Sequence, residues 1–331
     1  MQNAIMACMR DEGLFVVEWA AYHRLIGFDR VFIVTNDCSD GTDLICDRLQ
    51  ALGQVTHIRN DDHGATPPQI AGVAKVLTQP GVPDLRWLLH IDADEFLNIH
   101  DGMGHLSDWL PRLGAHDAVA VTWRLFGDDG LTEWPQGGLQ TETLTMAAAS
   151  AGLLSGLQKT MFRPAAFGAG IDHMPKAPRH DKVTLANAAG RSLHPGALYH
   201  PTQSDHRAAG DGTINRKRHF PWEGAVINHY AVRTQDLFLL KNWRGDAMNS
   251  RHNKRYTLNS RWHRAANCND VEEVSIQRHL PGLRALMAEW RAADPDIARI
   301  EEATFARIAK ARRDWLTPET IAHLTNPLRD A

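Results

Sequence analysis

The sequence predicts an α/β fold, a parallel-type sheet with helices on both faces, and three observations predict it. Short apolar runs rich in β-branched residues alternate with stretches of helical period through residues 1–124. Glycine and proline punctuate the joins. Acidic and polar groups follow the ends of the runs, where open parallel sheets take their ligands.

Ala4–Met9 reads as a short buried strand. Asp11 is placed to cap a helix from Gly13 to Ile26, in which Leu14, Val17, Trp19, Tyr22, Leu25 and Ile26 recur near helical spacing before Gly27 stops it. Arg30–Thr35 is a second strand. A polar turn over Asn36–Thr42 leads to a helix marked by Leu44, Ile45, Leu49 and Leu52 and closed by Gly53. Gln54–Ile58 is a third strand, and Pro67 and Pro68 open a helix that runs to Thr78. Pro80–Pro83 breaks it before a strand that begins at Trp87 and ends in acids at Phe96; Val119–Trp123 is one more strand. From Leu125 to His229 the periodicity loosens into loops and short strands suited to substrate contacts. Helices are expected again over Gln235–Asn242, Val271–His279, Leu283–Ala292 and Asp296–Asp314.

A hydrophobic content of 43% and a charged content of 23% over 331 residues are those of an ordinary globular chain. The net charge of −3 argues against a nucleic-acid partner. Residues 1–204 carry −8 and residues 205–331 carry +5, a bias that suits an anionic ligand held over an acidic first part, or a solvated helical surface. Cys8, Cys38, Cys46 and Cys268 have neither C-x-x-C spacing nor the density of a disulfide scaffold, so reduced thiols are expected. Met1–Arg10 lacks a basic leader, and no apolar run reaches membrane-spanning length. The expectation is a cytoplasmic protein without a transmembrane segment, with room for peripheral association at the inner face of the membrane.

The run Trp87–Phe96 carries Asp92, Asp94 and Glu95. On extended backbone, Asp92 and Asp94 point the same way and can converge on a hard cation such as Mg²⁺ or Mn²⁺ that also holds phosphates. Capping of a turn is the plain alternative. Glu95 points the other way and is given a structural or supporting role. Arg10 after the first strand can pair with phosphate, and Asp37 after the second can accept hydrogen bonds from a base or ribose. Farther on, His229 can complete a metal shell while Lys241 and Arg244 neutralise a diphosphate. Spacing alone gives His229 no advantage over His173 or His200.

Several motifs in order resemble a known family. They are Cys8–Gly13, Glu18–Arg24, Asn36–Thr42, Asp92–Phe96, Trp123–Gly127, Lys159–Pro164, Asn228–Arg233 and Lys241-x-x-Arg244-Gly245. Together they resemble bacterial family 2-type glycosyltransferases, in the branch related to the family 92 galactosyltransferases, over about residues 4–250. The resemblance implies a GT-A fold with a mixed sheet flanked by helices, a nucleotide-binding half over 1–124, an acceptor-side half over 125–250, and a helical extension over 251–331. It implies a nucleotide-sugar donor, expected to be a UDP-sugar, a glycan or glycolipid acceptor, and Mn²⁺ or Mg²⁺. Asp37 would contact the base, Asp92 the ribose or metal, and Asp94 and His229 the metal. Inversion at the anomeric carbon requires a carboxylate base; Glu142 is the first choice, with Asp128 and Asp129 behind it. Family 2 enzymes often carry an Arg on the helix before the Asp-x-Asp strand. This chain has Gln69 and Lys75 there, so phosphate contact would pass to Lys159, Lys241 or Arg244. Trp123, Trp134 and Trp222 are candidates to stack on sugar faces, although core packing is the expected role of Trp123, which sits in a predicted strand. A metal-dependent phosphotransfer enzyme and a non-catalytic sugar-nucleotide or glycan-binding protein are the rival readings.

Overall fold

A computed structural model describes residues 1–151, 158–193, 221–244 and 256–326. His200 and the side chain of Arg244 lie outside the described residues. The first half runs β1 (Asn3–Met9), α1 (Val16–Leu25), β2 (Arg30–Thr35), α2 (Thr42–Ala51), β3 (Thr56–Arg59), α3 (Pro68–Leu77), β4 (Trp87–His90), β5 (Glu95–Ile99), α4 (Leu106–Trp109) and β6 (Ala118–Leu125). The short elements α5 (Gln140–Thr143), β7 (Met146–Ala147), β8 (Gln158–Phe162), β9 (Phe167–Gly170), β10 (Pro175–Pro178), β11 (Leu185–Asn187) and β12 (Ser192–Leu193) follow. The chain continues through β13 (Ala225–His229), α6 (Gln235–Arg244), α7 (Arg261–Ala266), β14 (Val271–Glu272), α8 (Leu280–Ala293), α9 (Pro295–Trp315) and α10 (Pro318–His323).

The expected α/β architecture is present: a mostly parallel mixed sheet in the order β12-β11-β6-β8-β4-β1-β2-β3. β4, β1, β2 and β3 run parallel, and β8 lies antiparallel between β4 and β6. β1 shows why these runs fold as strands buried on both faces. Its Ile5, Ala7 and Met9 enter one hydrophobic layer, and Ala4, Met6 and Cys8 enter the other. Among the described residues no helix is long and apolar enough to cross a membrane.

Three local expectations are corrected. Asp11 does not cap the first helix; it sits at φ +53° and accepts the Ser39 N–H at 2.7 Å, while the Glu12 carbonyl receives the Phe15 and Val16 N–H groups. Val271–His279 is a short strand followed by a 3₁₀ turn, because Val271 and Glu272 find ladder partners in Ala147 and Met146. The strand beginning at Trp87 stops at His90. The Asp92 N–H donates to Glu95 Oε2 at 2.8 Å and the Glu95 N–H to the Asp92 carbonyl at 3.1 Å, closing a turn. Glu95 then starts β5, which pairs with β13.

The C-terminal helices close the structure against its beginning. Leu283, Met287, Trp290, Ile297 and Ile300 join the same buried cluster as Val17, Trp19 and Ile45. Gly41 permits this contact: it has φ +100°, and a Cβ there would lie 2.6 Å from Ile300 Cγ2. The Thr304 hydroxyl donates to the Asp40 carbonyl at 2.6 Å.

His23 is wholly buried; its Nδ1–H reaches the Trp19 carbonyl at 2.8 Å, and Nε2 accepts the Leu97 N–H at 3.4 Å. Burial holds its pKa down to about 3, against the Trp19 bond. The unfolded chain therefore takes up a proton first as pH falls, so this stabilisation is complete above the ordinary histidine value and is lost below it. Going from pH 7 to pH 5 is expected to cost about 2 kcal/mol through this residue. Urea unfolding at the two pH values measures it; equal stability at both would contradict the assignment.

Candidate active site

The C-terminal ends of β1, β2, β4, β6 and β13 lie on one edge of the sheets, the edge that carries the turn of Asp92, Ala93 and Asp94. In this turn Asp92 and Asp94 each meet a lysine of their own. Lys159, opposite Val121 on β8, is fully buried. Its ammonium donates to Asp92 Oδ2 at 2.9 Å and to the Asp172 carbonyl at 3.0 Å, and lies 3.4 Å from Glu95 Oε2. Gln69 from α3 donates to Asp92 Oδ1 at 3.2 Å. Lys241 from α6 donates to Asp94 Oδ2 at 3.2 Å and to the Ala231 carbonyl at 3.0 Å.

Burial opposes every charge in this cluster, so the pairing decides which groups ionise. Burial pulls Lys159 down, but Asp92 and Glu95 outweigh it and its pKa is raised. Burial likewise opposes ionisation of Asp94, yet Lys241, His229 and Arg233 hold its carboxyl well below the usual range. Asp92 is lowered in the same way, with Lys159 prevailing over burial. Glu95 goes the other way: burial pushes its carboxyl well above the ordinary value, with Lys159 only partly opposing.

His229 ends β13 directly across the ladder from Glu95. Its ring leans on Trp123 with centroids 4.2 Å apart. Burial holds its pKa down to about 4, Asp94 opposing, which leaves the imidazole neutral at pH 7. Nε2 stands 3.7 Å from Asp94 Oδ1, too far for a hydrogen bond and a small side-chain shift from the roughly 3.0 Å between neighbouring ligands of an octahedral ion. Nδ1 and Glu95 Oε1 face each other at 4.0 Å, both buried and without a hydrogen bond. A carboxylate and a neutral imidazole form a donor set that suits Mn²⁺ or Mg²⁺ with phosphate oxygens filling the remaining positions. Among the described residues no three His, Cys, Asp or Glu side chains surround one point.

At the end of β2, Asp37 adopts φ +47° and its N–H donates to Asp61 Oδ1 at 2.8 Å. The Asn36 amide, first, with help from His63 and Arg10 against burial, keeps the Asp37 carboxyl low. Arg10 thus lies near Asp37, on the side of the crevice away from the lysines. Lys75 is drawn off to Asp62 and the Arg59 carbonyl.

The candidate catalytic acids do not join this group. Glu142 pairs with Arg284 of α8. The reason lies in α5: Glu18 accepts the Gln140 and Thr141 N–H groups, and Gln140 turns inward to the Ala93 carbonyl and Arg233. Two residues on, about 200° around a helix, Glu142 faces outward. Asp128 is buried and ties the Gly130 N–H to the Asn267 and Asn269 amides. Asp129 accepts the Thr145 and Met146 N–H groups. Trp123 and Trp134 are buried, the latter edge-on to Phe15. Trp222 donates its indole N–H to the Trp123 carbonyl and lies under the Arg124 guanidinium.

Arg233 and Asp172, beside the site, had been given no role, and His173 only that of an alternative to His229. Arg233 is buried at φ +58°, bridges Gln140 at 2.7 Å and Glu12 at 2.8 Å, and lies 3.8 Å over the Phe15 ring. It closes the Asn228–Arg233 motif, the one signal that marked it. The tip of the β9–β10 hairpin, Asp172 and His173, had no motif at all.

No family model matches the chain. A glycosyltransferase family 92 protein of Ricinus communis is 28% identical over 142 residues, which is 42% of this chain and 25% of that protein. The match therefore spans a quarter of the relative's length. Among solved structures, S. aureus TarS in complex with UDP-GlcNAc aligns with 92% of this chain and 91% of its own at 13% identity and a TM-score of 0.34. Glucosyl-3-phosphoglycerate synthase from Mycobacterium tuberculosis, in complex with Mn²⁺, UDP and glucosyl-3-phosphoglycerate, aligns with 37% of this chain and 44% of its own at 13% identity and a TM-score of 0.25.

Proposed function

We propose that the chain is a metal-dependent GT-A glycosyltransferase that moves a sugar from a UDP-sugar to a hydroxyl of a glycan or glycolipid, with inversion. The observation that carries this is the Asp94–His229 pair, set 3.7 Å apart where strand ends converge, with Lys159 and Lys241 beside it. The name of the Ricinus relative as a family 92 glycosyltransferase supports it. In this reading residues 1–250 form the transferase domain, and 251–331 a helical extension that braces it.

Asp94 and His229 would hold Mn²⁺ or Mg²⁺, which when bound supplies charge to offset that of the departing diphosphate. Lys241 keeps Asp94 ionised and adds positive charge at the same place. Lys159 fixes Asp92, whose carboxylate is left facing the ribose. Asp37 and Arg10 border the base. The crowded, largely buried floor limits the access of water, so hydrolysis of the donor would be slow beside transfer. A phosphotransfer enzyme would need more acids converging on two metals, whereas here lysines close in on the acids.

Calorimetric titration with UDP, GDP and CDP, with and without Mn²⁺, is expected to give tightest binding for UDP with the metal. Equal binding with and without Mn²⁺, or none for any nucleotide, would overturn the proposal.

A further inference from the structure

We propose that Asp172 is the general base of the transfer, an assignment that rests on the glycosyltransferase reading above. The Ile171 N–H donates to the Met174 carbonyl at 2.9 Å, which leaves Asp172 and His173 as the two tip residues of the β9–β10 hairpin. That tip is built onto the floor of the site. The Ile171 carbonyl lies 3.3 Å from His90 Nδ1, and His173 Nδ1 bonds the Gln158 carbonyl at 2.9 Å while its ring leans on Trp123. The Asp172 carbonyl receives Lys159 Nζ, which also holds Asp92, so two short bonds link the backbone of Asp172 to the Asp92 carboxylate.

The carboxylate of Asp172 differs from every other acid around the cluster. Asp92 and Asp94 are held by ammonium groups, Glu95 is sealed in the core, and Glu142, Asp128 and Asp129 are engaged elsewhere. Asp172 is 40% exposed, receives no hydrogen bond from the described residues, and has at 3.6 Å the Nε2 of His173, whose pKa burial holds down to about 4 and which is therefore neutral at pH 7. A general base needs this combination: an unengaged lone pair, a rigid mount and an exit to water for the proton. In the step, the acceptor oxygen bonds to the anomeric carbon as its proton passes to the Asp172 carboxylate. The anomeric C–O bond breaks, its electron pair leaves on the diphosphate oxygen, and Asp172 later releases the proton to water.

The test uses the whole chain, Mn²⁺ and a panel of UDP-glucose, UDP-galactose and UDP-N-acetylglucosamine. UDP release is measured with water as acceptor, and UDP affinity is titrated in parallel. Asp172→Asn is expected to lower kcat by about 10²–10⁴-fold with UDP affinity unchanged. Added azide, a nucleophile with no proton to remove, is expected to restore release through a glycosyl azide. Turnover equal to wild type, a parallel loss of UDP affinity, or no recovery with azide would overturn the assignment. A wild-type protein that neither binds UDP nor releases it from any donor sinks the glycosyltransferase reading itself, and the base with it.

Discussion

Replacing Asp94 by Ala is expected to lower transfer by about 10²–10³-fold and to remove the effect of Mn²⁺ on UDP binding. Asp94 faces Nε2 of His229, so its loss leaves one protein ligand where the proposed ion would sit. The same change strips Lys241 of its carboxylate partner, although the Ala231 carbonyl still receives that ammonium. A loss of fold must therefore be separated from a loss of function. Asp94→Asn preserves the shape and an acceptor oxygen, and is expected to keep a near-native melting temperature while losing most of the activity. Steady-state UDP release against Mn²⁺ concentration gives the answer. If either variant kept the wild-type metal dependence, Asp94 would not be a ligand.

Lys159→Met carries the largest expected effect on stability. The ammonium is fully buried between Asp92, Glu95 and the Asp172 carbonyl. Removing one partner from a buried charge cluster leaves the others uncompensated, at a cost of about 3–5 kcal/mol. The deficit is expected to depend on pH, and the sign follows from Glu95. Burial raises its carboxyl above the unfolded value, with Lys159 opposing, so removing the lysine raises it further. A group with a raised folded pKa stabilises fully below its unfolded value and loses that contribution as pH rises through the folded one. The deficit should accordingly be smaller at pH 5 than at pH 8. Adding Glu95→Gln to Lys159→Met is expected to recover part of the loss at pH 8. Urea unfolding of the three proteins checks both points; a deficit independent of pH and untouched by the second change would contradict them.

Much of the α/β frame was legible because it follows from local rules. Strand β2 fell on Arg30–Thr35 as read, and α3 started at its proline pair, because apolar runs and punctuation act over a few residues. The errors arose where a side-chain hydrogen bond overrode the local pattern. Asp92 and Asp94 were read on extended backbone, but the Glu95 carboxylate captures the Asp92 N–H and folds the run into a turn. Asp11 was read as a cap, but Ser39, distant in sequence, takes its carboxylate. Glu142 was read as facing the site, but Glu18 from α1 sets the rotation of its helix. In the last two cases a partner remote in sequence supplied the deciding hydrogen bond, and in the first it came from a side chain three residues on.

By itself, the sequence determined the order of strands and helices from β1 to β4 and the identity of the acids at the strand ends, since burial and turn chemistry are written locally. Which groups meet was decided only by the tertiary structure. The β5–β13 register sets His229 opposite Glu95, and β8 slides Lys159 under Asp92. A hairpin with no motif of its own brings Asp172 to the same floor. The physical reason is that buried charges are tolerated only in pairs, and a pair is a property of two distant segments that no single stretch of chain contains.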